Sequence, residues 1–419
     1  MAILRTDSLK VFRIRDFSLF IFVRLFLTIA IQMQFSTIYL QIYYEYTNEE
    51  LVLGFIGLAE AIPFIATSFF SGHVADMVAK KRVIVSSALL LMLGAVFLSL
   101  NAAPAIGLFR GLGLPVLFSI VFLFGIIRAF IGAATNPFLS QLVPRHEYTH
   151  SATWNSTAWH TGAIVGPVLS GLIYGAGGHY NAQWCHITEV CLFVTSLILL
   201  AFIKNKGLPQ VHEKKESVFD SMKMGLRFVF RTKMVLSAIS LDLFAVLFGG
   251  AVVLIPAFTD KILHLGPEAY GLLRTAPAIG AVASAFVMAA YPPSKKAGPA
   301  LLWSVIAFGV FTILFGLSTS YLMAFAMLFM TGAFDNVSVV VRHSILQLMT
   351  PDNMRGRVSA INNIFVGSSN EIGAFESGVA ARLMGLVNSI VFGGIMTIVT
   401  VAAVDRVNPS LRKMDLTKM

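Results

Sequence analysis

QLVPRHEYTHSATWN (residues 141–155) and QLMTPDNMRGRVSAIN (347–362) are two versions of one passage in a chain of 419 residues. Pro144 and Asn155 stand as far apart in the first as Pro351 and Asn362 do in the second, and GLAEAIP (57–63) recurs in the same way as GLLRTAP (271–277). Self-similarity over this range signals a fold built twice. The first copy also contains HEYTH (146–150), the H-E-x-x-H spacing in which two histidines hold zinc and a glutamate activates water. Its counterpart, DNMRG, has no histidine to hold a metal. Pro144 places the first histidine near a helix start, and no third ligand stands out by spacing. The match reads as an accident, and neither a metal, a cofactor nor an enzyme is expected.

Composition sets the class. The chain is 57% hydrophobic and 12% charged, about half the charged fraction usual in soluble proteins. Its apolar residues come in blocks of about 20, the length that crosses a bilayer as a helix. Twelve such spans are read, at about 17–43, 51–71, 83–101, 115–140, 151–176, 184–203, 234–258, 269–291, 299–317, 320–346, 358–382 and 384–404. Of the 31 Lys and Arg, only Arg110, Lys261 and Arg382 fall on the side opposite the N-terminus, while Arg24, Arg128, Arg274 and Arg342 fall within spans. That asymmetry places both termini in the cytoplasm. The net charge of +10 therefore orients the chain in a membrane and its lipids, and calls for no nucleic acid. The basic, amphipathic start lacks a cleavage site. The two cysteines, Cys185 and Cys191, offer no disulfide framework.

The polar stretch 204–233 divides the chain into an N-terminal six-helix bundle (1–203), a linker with an amphipathic surface helix, and a C-terminal six-helix bundle (234–419). The expected fold is all-α, with two pseudo-symmetric bundles related by an axis along the membrane normal. Such a fold implies a substrate site between the bundles. No P-loop appears, so ATP is not expected as the energy source.

Between the second and third spans the chain reads GHVADMVAKKRV (72–83). This resembles the loop motif of the major facilitator superfamily, G-x-L-A-D-x-x-G-[RK]-[RK]. Gly72, Asp76, Lys80 and Lys81 match, while Met77 and Ala79 depart from it. The segments after spans four and ten resemble the bacterial efflux branch that includes enterobactin exporters, macrolide efflux pumps and lysophospholipid transporters. Gly72 is expected to allow a tight turn and close helix approach. In the family, Asp76 would cap the eleventh helix and latch the halves on the cytoplasmic side, with Lys80, Lys81 and Arg82 joining it or merely orienting the loop. GAIVGPVLSG (162–171) partly resembles the antiporter motif of exporters: Gly162, Gly166, Pro167 and Gly171 match, and Ser170 and Thr153 replace glycines. Small residues at that spacing also simply let helices pack closely.

Eight charges are read inside spans: Arg24, Glu60, Arg128, Asp242, Arg274, Asp335, Arg342 and Glu371. Intramembrane charges are costly and mark function or a structural ion pair. The repeat sets Glu60 against Arg274, Arg128 against Asp335 and Arg24 against Asp242, at matching depth. Ion pairs remade during alternating access are one reading, and pairing within each half is the other. Asp242 and Asp335 are the first candidates for proton coupling, with Glu60, Glu371 and His160 behind them. Gln32, Gln34, Asn136, Asn155, Trp159 and Asn336 are candidate substrate contacts or helix glue. The resemblance implies a monomeric inner-membrane transporter that exports a small amphiphile against protons. Uptake or facilitated transport of a small metabolite, and a non-transporting receptor, are the alternatives.

Overall fold

The computed structural model describes residues 10–103, 113–178, 180–205, 207, 218–291, 295–351 and 354–415. Arg110 and part of the 204–233 linker lie outside them. Every regular element among the described residues is helical. The first six are α1 (Arg15–Gln41), continued by a π-turn (Ile42–Tyr46), α2 (Glu50–Met77), α3 (Lys80–Ala102), α4 (Gly113–Leu142), α5 (Tyr148–Gly175) and α6 (Ala182–Phe202). They are followed by α7 (Val218–Arg231), α8 (Lys233–Gly249), α9 (Ile255–Lys261), α10 (Pro267–Ala290) and α11 (Ala297–Gly316). The last three are α12 (Tyr321–Met349), α13 (Arg355–Met384) and α14 (Leu386–Val407). Hydrocarbon offers backbone groups no water, so apolar blocks this long close their hydrogen bonds internally as helices.

Among the described residues, ten helical stretches are long and apolar enough to cross a membrane, α8 and α9 counting as one interrupted span (Lys233–Lys261). α5 and α13 fall outside that set. They are each other's copies in the repeat, α5 rich in Ser and Thr and α13 in Ser and Asn. A polar helix stands at membrane depth only where protein or a water-filled cavity surrounds it. Adding this pair is consistent with the twelve spans expected.

The chain gathers into two compact units. Unit one holds Met1–Tyr46 and Ile62–Lys214, and unit two holds Thr47–Ala61 and Lys215–Met419. The division therefore cuts α2 just before Pro63, a residue that removes a helical hydrogen bond.

In unit one, α5 lies directly against α1. A Cβ at Gly162 would stand 2.7 Å from Thr28 Cβ, and one at Gly166 would stand 2.8 Å from the Ile29 carbonyl oxygen. Unit two repeats the arrangement. Gly373 of α13, at the position equivalent to Gly166, would put a Cβ 2.8 Å from the Val246 and Leu247 carbonyl oxygens of α8. α5 thus rests on α1, and α13 on α8, each through one glycine of the repeat. Unit two also contains the first part of α2, packed on α13 where Gly54 meets Gly378 and Gly57 meets Ala374. The Lys261–Glu50 ion pair, at 2.6 Å, fastens the same region. α7 docks on unit two by an apolar face: Val229 is buried with Val235, Leu346, Val358 and Ile361, while Lys223, Arg227 and Arg231 are exposed.

Candidate functional site

In unit two, α8 presents Asp242 and α12 presents Arg342, 4% and 1% exposed, and the two form an ion pair. Around them lies an apolar cluster that includes Leu241, Leu301, Val341 and Ile345. Asp242 thus pairs inside its own unit. Two turns earlier on α12, Asp335 is half-buried, and its carboxylate makes no hydrogen bond or ion pair among the described residues. Its neighbour Asn336 is held by an amide N–H donated to Ser284 Oγ of α10 at 3.0 Å. Glu60, on the first part of α2, and Glu371, on α13, are both buried. Arg274 donates from Nη1 to the Val252 carbonyl, in the 3-10 turn between α8 and α9, at 3.5 Å.

Unit one holds the other half of the predicted set. The Arg128 guanidinium of α4 sits over the Phe64 ring of α2, 5.0 Å from its centroid. Away from water such a cation–π contact contributes about 2 kcal/mol. Arg24 of α1 is half-buried, and its Nε is enclosed without a hydrogen bond. Gln32 is half-buried beside Gly166. Asn155 of α5 donates to Asn136 Oδ1 of α4 at 3.5 Å, so these two amides meet. Trp159 is exposed, with its ring edge-on to His160 at 4.9 Å. Both units therefore carry charged side chains within their long apolar helices.

A family profile described as the Major Facilitator Superfamily matches residues 20–374. The chain belongs to that superfamily. It is thus a membrane-embedded transporter of small molecules and not an enzyme. The multidrug efflux pump Tap of Mycolicibacterium fortuitum is 23% identical over 381 residues, covering 89% of this chain and 90% of that pump. The enterobactin exporter EntS of Escherichia coli O1:K1 / APEC is 24% identical over 244 residues, covering 58% of this chain and 57% of that exporter. Among solved structures, a POT family transporter in complex with 5-aminolevulinic acid superposes with a TM-score of 0.76 at 13% identity. That match covers 95% of this chain and 96% of the other. A bacterial homolog to the human lysosomal transporter Spinster, inward-facing and unoccupied, gives a TM-score of 0.68 at 14% identity, with 95% of each chain covered. These two likenesses concern the fold.

The superfamily's loop motif is placed differently from the expectation. Gly72 lies inside α2, where a Cβ would meet nothing within 4 Å, so it provides neither a turn nor a close approach. The turn falls instead at Val78 and Ala79. Asp76 is exposed. Lys80 is fully buried, and its backbone N–H donates to the Gly207 carbonyl at 2.8 Å. Lys81 Nζ donates to the Ile203 carbonyl at 2.6 Å. From α1, Asp16 accepts the N–H of Lys204 at 3.3 Å and that of Asn205 at 2.9 Å. The Lys80 main chain and the Lys81 ammonium therefore pin the segment leaving α6 to the base of unit one. A charged hydrogen bond of this kind contributes about 1.5–3 kcal/mol. Lys81→Met should lower the melting temperature in detergent by a matching amount, whereas the exposed Arg82→Met should stay within about 0.5 kcal/mol of wild type.

The antiporter-like segment of the superfamily does pack as small residues allow. Pro167 and Gly171 are buried alongside Gly162 and Gly166. Ser170, standing where a glycine is usual, is buried as well, and its hydroxyl meets Thr37 Oγ1 of α1 at 3.0 Å. The predicted set omits two acids inside spans, Glu189 of α6 and Glu376 of α13. Glu189 is fully buried and Glu376 half-buried. The signal for Glu189 was present: an acid within an apolar block, with His186 three residues before it. HEYTH lies across a 3-10 turn, Arg145–Glu147, and the start of α5, with His146 on the turn and His150 on the helix.

Proposed function

We propose that this transporter is a proton-coupled exporter of a small amphiphilic compound, a siderophore or a drug-like molecule. It would act as a monomer in the cytoplasmic membrane of a bacterium with both termini inside. Residues 1–203 and 234–419 would be the two bundles that alternate access around a midplane site, joined by 204–233. Support for efflux comes from the near full-length similarity to a multidrug efflux pump. Support for the orientation comes from the Lys and Arg asymmetry.

The observation that carries proton coupling is Asp335, a half-buried carboxylate at membrane depth beside a fixed amide, Asn336. A carboxylate whose surroundings alternate between water and protein alternates in proton affinity. That alternation is what antiport needs. Arg24, Gln32, Arg128, Asn136 and Asn336 are the candidate solute contacts, with Asp76 the candidate cytoplasmic latch.

The test uses inside-out vesicles with an acidified lumen, to which catecholate siderophores, macrolides, cationic dyes and lysolipids are added in turn. One class should drive protons out of the lumen and raise its pH in the wild type, and Asp335→Asn should abolish that rise. A compound that moves only when the vesicles are right-side-out would replace this reading with uptake.

A further inference from the structure

Away from the charges discussed so far, unit one buries a connected set of titratable side chains. His186 and Glu189 of α6 are both 0% exposed, and His186 Nδ1 lies 2.9 Å from Glu189 Oε2. His186 Nε2 lies 3.4 Å from Gln41 Oε1, at the end of α1. The Gln41 amide nitrogen donates to Glu45 Oε2 at 3.3 Å, and the Tyr174 hydroxyl donates to Glu45 Oε1 at 2.9 Å. Glu45 itself is exposed, on the π-turn that ends α1. The chain of contacts thus runs from a sealed pair to solvent. A π-turn is a rare device that re-aims side chains, often at functional sites.

The hydrogen-bond pattern fixes where the protons sit. Glu45 as a carboxylate only accepts, so the Gln41 nitrogen must face it and the Gln41 oxygen must face the histidine. His186 Nε2 must then carry a hydrogen and donate. One proton remains to be shared across the gap between Nδ1 and Oε2. With it present, the pair is either neutral acid beside neutral imidazole or carboxylate beside imidazolium, and its net charge is zero. Without it, two acceptors face each other at 2.9 Å and a bare negative charge is left buried. Gln34 and Thr37 of α1 lie near the Glu189 carboxyl, whose other oxygen, Oε1, is enclosed and has no hydrogen-bond partner among the described residues. Gln34 is fully buried, and its amide oxygen and nitrogen also lack partners.

Among the described residues, His186 is the one cation that acts on the Glu189 carboxyl, and the charges of α1, at Arg15, Asp16 and Arg24, all stand at least ten residues before Gln34. α5 contributes Tyr174, α6 contributes Cys185, and the turn after α5 contributes Tyr180. α3, the remaining helix packed on α6, has charged side chains only at Lys80, Lys81 and Arg82, and Lys81 is bonded beside Ile203 at the far end of α6. A buried carboxyl so placed keeps its charge only while the histidine shares a proton with it.

We infer that the His186–Glu189 pair is a proton-binding site of unit one. Gln41 is its positioning residue, setting the histidine tautomer, and Glu45 with Tyr174 is its link to solvent. One proton binds between Nδ1 and Oε2 and is released from there; no other bond changes. The inference rests on the antiport reading above and adds to it a second carboxylate, in the other unit from Asp335. A purely bracing role, joining α1 to α6, is the alternative that the experiment must separate.

Glu189→Gln keeps the shape and the hydrogen-bonding reach while removing the proton site. In proteoliposomes, the wild type with an identified substrate should show proton movement with transport. Glu189→Gln should still exchange labelled substrate between the two sides, yet move fewer protons per substrate than the wild type. Gln41→Leu should displace the pH profile of transport with exchange retained. In parallel, infrared difference spectra between acid and alkaline buffer should contain a carboxyl C=O band that Glu189→Gln removes, and that assignment does not depend on transport. A wild type that couples to protons, with Glu189→Gln coupling equally and no band lost, overturns the inference alone. A wild type that moves substrate without protons sinks the antiport reading, and the coupling role of the pair with it.

Discussion

Arg342→Met should leave little folded transporter, and adding Asp242→Leu to the same chain should bring most of it back. The pair is 1% and 4% exposed and sits within the apolar cluster of Leu241, Leu301, Val341 and Ile345. Removing one partner strands the other as a buried, uncompensated charge, which costs about 3–5 kcal/mol. Against total stabilities of about 5–15 kcal/mol, that loss is decisive. Replacing both by apolar residues of similar volume removes the two desolvation costs together, and such exchanges are often neutral or stabilising. Thermal melts of the purified protein in detergent distinguish the three variants. Transport by the double variant then tells bracing from function. If the pair is broken and remade during each cycle, the double variant folds and does not transport. Transport near the wild-type rate would make the ion pair a brace and leave Asp335 as the coupling carboxylate of unit two.

Why this pair was not evident in the sequence is instructive. The repeat sets Asp242 at the depth of Arg24, and depth is what periodicity and span limits can give. Contact also requires knowing how each helix is turned about its own axis, and that follows from packing among helices far apart in sequence. Class, helix positions and the twofold plan were legible because each rests on local rules: block length, charge asymmetry and self-similarity. The linker helix was legible only as amphipathic; that its apolar face rests on Val358 and Ile361 of α13 was not. Lys80 and Lys81 illustrate a different limit. A motif match identifies the residues of the loop, yet their partners, the carbonyls of Gly207 and Ile203, belong to a segment with no motif of its own. Glu189 differs again, since an acid and a histidine three residues apart inside an apolar block are a purely local pattern.

The same contrast between identity and mechanical role yields the second large effect. Gly166→Leu should abolish folding, whereas Gly72→Leu should be tolerated, although both glycines belong to superfamily motifs. At Gly166 a Cβ would stand 2.8 Å from the Ile29 carbonyl oxygen, 2.8 Å from Gln32 Cβ and 2.9 Å from the Met33 nitrogen. Two of these are backbone atoms of a continuous helix, so α5 and α1 would have to separate. Overpacking of this kind costs about 1–3 kcal/mol for extra methylenes alone and more when backbone must shift. At Gly72 a Cβ meets nothing within 4 Å, and replacing glycine inside a helix gains up to about 1 kcal/mol of propensity. Gly373→Leu should fail as Gly166→Leu does, because its Cβ would stand 2.8 Å from the carbonyl oxygens of both Val246 and Leu247. Size-exclusion profiles of the three variants in mild detergent, each beside its alanine counterpart, read this directly. Failure of Gly166→Leu with full tolerance of Gly373→Leu would mean that the two units repeat in sequence while differing in the contact that seats their polar helices. Failure of both would tie the repeated glycine to a repeated physical task, the close seating of α5 on α1 and of α13 on α8.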